Sequence, residues 1–285
     1  MRNPKKLYEV LRWASLFLEK NNREPKVAEI LLMYHVNLSR TEFLAHLREP
    51  VPETVITQFE QDIKRHVETG IPVQHLTGSE FFYGREFLVN AHVLIPRPET
   101  EELVLHVLEE VKRSGIRNPV LADVGTGSGV IAVTLDLELE ESSIFATDLS
   151  SEALEVAEKN AERLGARVTF LQGDFLQPLH QEQISPDILI SNPPYIPKQD
   201  REGLSDTVKD FDPALALFAD EEGLAAYQQI ITESKQFPDL KLLAFEIGHH
   251  QGADICQLIL KSFPESDVRV LKDINGKDRI VSARL

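Results

Sequence analysis

At 285 residues, 42% hydrophobic and 27% charged, with a formal net charge of −16, the chain has the composition of a folded globular protein of one large or two ordinary domains. No apolar run approaches the ~18 residues of a membrane span, and the single cysteine, Cys256, excludes an intramolecular disulfide and suits a cytoplasmic protein. The charge is uneven: residues 1–75 carry 11 Lys and Arg against 10 Asp and Glu, the rest 19 against 36, and no dense basic cluster offers the face that direct nucleic-acid binding needs.

The start, Met1-Arg2-Asn3-Pro4-Lys5-Lys6, is basic, but the residues after it alternate apolar with charged and lack the core of a signal peptide. Leu7, Val10, Leu11, Ala14, Phe17 and Leu18 recur at helical spacing, as do Val27, Ile30, Leu31 and Tyr34. Ser39 and Glu42 are spaced as a capping box, with Leu38 and Phe43 as its hydrophobic staple. Val55, Phe59, Ile63 and Val67 mark a further helix after Pro52. Residues 1–75 are therefore expected to form a small helical bundle, a structural cap on a larger domain that begins near residue 99.

Residues 76–98 change character. Phe81-Phe82-Tyr83 and Phe87-Leu88-Val89 flank Gly84-Arg85 as a β-hairpin joining the two domains. Arg97-Pro98-Glu99-Thr100 then opens a helix to about Arg113, with proline near its first turn and acids at 99, 101 and 102 where the helix dipole favours them.

From residue 99 to 285 strands are expected at 120–124, 143–148, 167–172, 186–191, 240–247, 267–272 and 279–284, with helical patterns between most of them. That alternation implies an α/β fold with a doubly wound, mostly parallel seven-stranded sheet. After the first strand comes Gly125-Thr126-Gly127-Ser128-Gly129. Alternate glycines let the backbone pass close to a ligand and turn into a helix whose N–H groups face that ligand; a tight βα turn explains the loop equally well. It is not the nicotinamide fingerprint, because the position of the third glycine there is Val130. Asp148 ends the second strand, where an acid can accept from both hydroxyls of a ribose. The loop and Asp148 together favour a nucleoside-containing cofactor.

The fourth strand stops at Ser191-Asn192-Pro193-Pro194-Tyr195, since two prolines cannot continue a ladder. The stiff turn presents the Asn192 amide and free carbonyls, which suit a planar –NH₂ group whose two hydrogens must be held; taken alone, it also fits an ordinary strand-ending turn. In a doubly wound sheet the first and fourth strands are neighbours and ligands bind at their carboxyl ends, so the glycine loop and Asn192 should share one crevice. Residues 196–222 read as a long acidic connection without periodicity, a lid or substrate-binding loop. Cys256 reads as buried filler in an apolar helix. Adjacent side chains do not converge on a helix or strand, so His249-His250 reads as a loop pair, and no metal site is expected.

Asp123 to Gly129 with Asp148 resembles the S-adenosylmethionine site of class I methyltransferases, and Asn192-Pro193-Pro194-Tyr195 resembles the signature of their amino-methylating branch. Residues 94–101, Leu-Ile-Pro-Arg-Pro-Glu-Thr-Glu, with Val208-Lys209-Asp210-Phe211-Asp212-Pro213, Glu246-Ile247-Gly248 and Asp273-Ile274-Asn275-Gly276-Lys277-Asp278-Arg279, narrow the resemblance to the release-factor glutamine methyltransferase (PrmC/HemK) family. The resemblance implies S-adenosyl-L-methionine as cofactor, S-adenosyl-L-homocysteine as product, and as substrate the amide N5 of the glutamine in the Gly-Gly-Gln motif of class I peptide chain release factors. It implies that the N-terminal helices recognise the release factor.

It also implies site roles. The backbone of Gly125, Thr126, Gly127, Ser128 and Gly129 would lie by the methionine end, Asp148 on the ribose and Phe175 against the adenine, where a core aromatic at a strand end is the plainer reading. Arg97 and Thr100 would close over the cofactor. Asn192, with Pro193, Pro194 and Tyr195, would bind the acceptor amide: the Asn192 oxygen and the Pro193 carbonyl accept its two hydrogens, and Tyr195 forms a wall beside it. An adenine-N6 or guanine-N2 nucleic-acid methyltransferase would use the same Asn-Pro-Pro-Tyr geometry; the missing basic face and the family-like N-terminal helices speak against it. A binding protein on the same scaffold conflicts with an intact glycine loop, Asp148 and Asn192.

Overall fold

The computed structural model describes residues 5–285; the basic start at residues 1–4 lies outside the described residues. The chain divides into two compact units, one of residues 1–78 with 206–211, the other of residues 79–205 with 212–285.

The first unit holds α1 (Leu7–Lys20), α2 (Lys26–Val36), α3 (Arg40–Ala45), α4 (Glu53–Thr69) and α5 (Val73–Thr77). Leu7, Val10, Ala14, Leu18, Leu31, Phe43, Phe59 and Ile63 build its core, with Leu38 packed against it. The Ser39 cap is made in full: its side chain accepts from the Glu42 N–H while its own N–H donates to Glu42 Oε2. In α2 the buried face is Val27, Ala28, Leu31 and Leu32, whereas Tyr34 is 51% exposed. Residues 206–211 join this unit through Asp206, which pairs with Arg23 at 2.8 Å.

The second unit begins with a hairpin, β1 (Ser79–Phe82) and β2 (Arg85–Leu88), turning through Tyr83 and Gly84, both at positive φ. Next come α6 (Pro98–Ser114), β3 (Val120–Val124), α7 (Val130–Glu138), β4 (Ser143–Asp148), α8 (Ser151–Leu164), β5 (Val168–Gln172), α9 (Gln177–Gln181) and β6 (Ile188–Ser191). The connection after β6 holds β7 (Ile196–Pro197), a 3₁₀ helix (Lys198–Gly203), α10 (Asp206–Lys209, part of the first unit), α11 (Ala214–Leu217) and β8 (Phe218–Ala219). These pieces, six residues or fewer, are too short to show periodicity, which is why the segment reads as irregular in sequence. The unit ends with α12 (Ala225–Ser234), β9 (Leu242–Glu246), α13 (Gly252–Ser262), β10 (Asp267–Lys272) and β11 (Asp278–Arg284).

Seven strands form one sheet in the order β10-β11-β9-β6-β3-β4-β5. The pairs from β9 through β5 are parallel, while β11 pairs antiparallel with both β9 and β10. The expected doubly wound sheet is present, and its first and fourth strands, β3 and β6, are neighbours. Side chains alternate between two cores: Ile188 and Ile190 join one, Leu189 the other. Burial on both faces explains why the central strands read as continuous apolar runs.

Candidate active site

The loop after β3 is fixed at both ends. Gly125 and Thr126 each donate an N–H to the Thr147 carbonyl at 2.9 Å. Gly127 donates to Asp148 Oδ2 at 2.8 Å, and the Ser150 N–H donates to Asp148 Oδ1 at 2.9 Å. Under the loop, the fully buried Asp123 accepts from the Thr126 hydroxyl at 2.6 Å and from the Ala132 N–H at 3.3 Å. Burial pushes the Asp123 carboxyl up to about 7 against the pull of those two donors. Gly129 turns into α7 at φ +82, and a Cβ there would sit 3.0 Å from that of Ala157. Glycine is required there both for the left-handed backbone and for the close approach of α8.

A cavity of about 900 Å³ opens above this loop. Gly125, Thr126, Gly127 and Ser128 line it, with Asp148, Phe175, Asn192, Pro193 and Pro194. The two motifs at the ends of β3 and β6 therefore meet, as the strand order requires. Burial pushes the Asp148 carboxyl above the ordinary carboxylate range, against the pull of the Ser150 and Gly127 N–H groups. Phe175 stands at φ +41, and its carbonyl accepts from the Thr147 hydroxyl at 2.8 Å. Its ring is partly buried against the core below.

Four residues expected at the site lie off the cavity: Gly129, at the turn into α7, and three more. Arg97 pairs with the buried Asp212 at 2.9 Å. Thr100 is buried and donates to Glu246 Oε2 at 2.7 Å. Tyr195 is partly buried against one of the two cores, and its backbone carbonyl accepts from Gln251 Nε2 at 3.1 Å. Gly223, at φ +86, lies so close to this carbonyl that an added Cβ would overlap the Tyr195 oxygen. Gln251 and Gly223 thus clamp the end of the Asn-Pro-Pro-Tyr turn.

Asn192 donates from Nδ2 to Thr100 Oγ1 at 3.3 Å, which leaves Oδ1 as its acceptor end at the cavity wall. Burial pushes the Glu246 carboxyl beyond Thr100 up to about 7, against the Thr100 hydroxyl and the Arg279 charge. The sequence reading gave Glu246 no role. Its signal was an acid closing an otherwise apolar strand, Leu242-Leu243-Ala244-Phe245-Glu246. Asn160 was also missed: fully buried on α8, it donates to the carbonyls of Ser128 and Leu88 and accepts from the Leu88 N–H, tying the hairpin to the glycine loop.

His249 and His250 lie in a turn, as expected of a loop pair, with ring centroids 3.6 Å apart; the alternation that separates neighbours in a strand does not apply there. Among the described residues, no group of three or more His, Cys, Asp or Glu is placed to hold a metal ion, and no helix is long and apolar enough to cross a membrane. Cys256 is partly rather than fully buried, at the margin of the core.

Residues 9–78 match the family described as PrmC N-terminal domain, and residues 100–210 the family described as methyltransferase small domain. The release factor glutamine methyltransferase of Bacillus subtilis is 47% identical over 282 residues, 98% of either chain. That of Bacillus cereus is 45% identical over 98% of this chain and 99% of its own. Among solved structures, the hMettl16 catalytic domain in complex with MAT2A 3′UTR hairpin 1 superposes with a TM-score of 0.56 at 16% identity, covering 89% of this chain and 90% of that one, which is a likeness of fold. The chain belongs to the release factor glutamine methyltransferase family.

Proposed function

We propose that the chain transfers a methyl group from S-adenosyl-L-methionine to the side-chain amide N5 of the glutamine in the Gly-Gly-Gln motif of class I peptide chain release factors, and that Asn192 and Pro193 hold that amide. The observation that carries the reading is the Asn192 amide, tied through Nδ2 to Thr100 with its oxygen left as acceptor, in the same cavity as the glycine loop and Asp148.

The lining fits S-adenosyl-L-methionine by its donor and acceptor set. Asp148 offers a partly buried carboxylate to the ribose hydroxyls, the backbone of Gly125 to Ser128 offers its lining to the methionine end, and Phe175 offers an aromatic surface to the adenine. When bound, the cofactor supplies a methyl group on a sulfonium.

A primary amide nitrogen is a poor nucleophile because its lone pair is delocalised into the carbonyl, and no side chain near neutral pH removes its proton. The chain's contribution is placement. Asn192 Oδ1 and the Pro193 carbonyl accept the two amide hydrogens and turn the nitrogen toward the cofactor side of the cavity. The same two acceptors would stabilise the positive charge that develops on nitrogen as the new C–N bond forms and the methyl–sulfur bond breaks, leaving S-adenosyl-L-homocysteine and releasing one amide proton to solvent, and they are fixed before the reaction. Pro193 and Pro194 stiffen the turn, and the clamp on the Tyr195 carbonyl holds its far end, which matters because effective molarity falls steeply with misplacement. The N-terminal helices serve as the release-factor recognition module, and direct nucleic-acid binding plays no part.

The test is methyl transfer from labelled S-adenosyl-L-methionine to a purified class I release factor, beside a substrate variant lacking the Gly-Gly-Gln glutamine and beside DNA and RNA. Label on the intact release factor alone supports the reading. Label on nucleic acid, or on the glutamine-less factor, contradicts it.

A further inference from the structure

Asn192 has an amide whose two ends are nearly equal in size, so packing alone does not decide which end faces the cavity. The decision matters. With Oδ1 outward it accepts a hydrogen from the substrate amide; with Nδ2 outward it sets donor against donor. A threonine hydroxyl behind it does not settle the question alone, because a hydroxyl satisfies either end by rotating.

Glu246 removes that freedom. Its Oε2 lies 2.7 Å from Thr100 Oγ1 and takes the Thr100 hydrogen. The Thr100 oxygen then has only lone pairs to offer Asn192, and Asn192 answers with Nδ2 at 3.3 Å. The end of β9 is itself fixed, since the Glu246 backbone carbonyl accepts from the Tyr227 hydroxyl at 2.7 Å. Both Glu246 and Thr100 are buried, at 2% and 3% exposure, so water does not compete for these bonds.

We infer that Thr100 and Glu246 are positioning residues of methyl transfer: Glu246 fixes the direction of the Thr100 hydroxyl, and Thr100 thereby fixes Asn192 with its oxygen toward the acceptor amide. The inference rests on the reading of Asn192 given above. It gives Thr100, which lies off the cavity, a part in the reaction without contact with the cofactor.

The test is steady-state methylation of a release factor by Thr100→Val, Thr100→Ser, Glu246→Gln and the double variant Thr100→Val/Glu246→Gln, with Asn192→Ala alongside. Cofactor binding is titrated for each, and thermal melting confirms folding. Val removes the acceptor at nearly constant volume, and Gln lets the hydroxyl rotate. Each should lower kcat roughly tenfold, the scale of one hydrogen bond, with cofactor affinity and the KM for release factor within about twofold on the same scale. Thr100→Ser should recover most of the rate. The double variant should be no slower than the worse single one, because both changes release the same amide.

Wild-type kcat in Thr100→Val while Asn192→Ala is slow would overturn the relay and leave the role of Asn192 standing. Equal losses in Thr100→Ser and Thr100→Val, or additive losses in the double variant, would make Thr100 a packing residue and overturn it too. Wild-type kcat in Asn192→Ala would take down the reading of the site and the relay with it.

Discussion

The Gly127 N–H donates to Asp148 Oδ2 across 2.8 Å, so one carboxylate holds the loop after β3 and closes β4. The Ser150 N–H fixes the other oxygen. Asp148 is thus oriented before any ligand arrives, at the wall of the cavity. Asp148→Ala should weaken S-adenosyl-L-methionine binding roughly tenfold to hundredfold, the scale of one or two hydrogen bonds to a charged group. Calorimetric titration checks it, and unchanged affinity would remove Asp148 from the ribose.

Gly223 and Gly115 make a matched pair for the clamp on the Asn-Pro-Pro-Tyr turn. Both have positive φ, but a Cβ at Gly115 meets nothing within 4 Å, whereas at Gly223 it overlaps the Tyr195 carbonyl oxygen. Gly115→Ala should cost only the backbone strain, about 1–2 kcal/mol, and leave kcat unchanged. Gly223→Ala should lower the urea midpoint further and lower kcat as well, because the clash moves the turn that carries Asn192. Equal effects in the two variants would mean the turn is not clamped there.

Burial raises the Glu246 carboxyl from its ordinary 4.5 to about 7 in the fold. A carboxyl raised in this way favours the folded state below its unfolded pKa, and that contribution is lost as pH rises through the folded value. Gln cannot ionise, so Glu246→Gln should become more stable relative to wild type between pH 5 and pH 8. Taking the difference between the two proteins cancels His66 and His106, whose lowered pKa values act with the opposite sign. Urea midpoints at several pH values check this, and a difference that stays flat contradicts it.

Asn160 connects β2 to the glycine loop through three hydrogen bonds. Asn160→Ala leaves the buried Ser128 carbonyl and the partly buried Leu88 N–H and carbonyl without partners and should cost about 3 kcal/mol or more, at about 1–3 kcal/mol for each group stranded. Denaturant unfolding measures it; a loss below about 1 kcal/mol would mean water or a shift of the hairpin replaces those bonds.

Much of this arrangement is legible in the residues. Periodicity and the prolines at 193 and 194 place Asn192 at the end of β6, alternating β and α elements place it beside the glycine loop, and Asp148 follows from strand spacing. What the residues hide is long-range pairing of polar groups. Thr100 reads as part of a helix start, yet its hydroxyl joins Asn192 to an acid 146 positions away in sequence. Tyr195 reads as a wall of the site because it follows Pro194; the turn instead sends its ring to the core while Gln251 takes its carbonyl. Asn160 has the sequence context of an ordinary surface helix, and only the glycine loop and the hairpin together give it partners. Local patterns state where strands end, but not which buried side chains meet across them.

The central claim is that Asn192 accelerates transfer by placing the acceptor amide. Its most direct test is the single-turnover methylation rate of Asn192→Ala, with cofactor and release factor both saturating. A fall of roughly 10²–10³, the scale for one preorganised polar group, with both dissociation constants within a few-fold of wild type, is the predicted result. A single-turnover rate within a few-fold of wild type would contradict it.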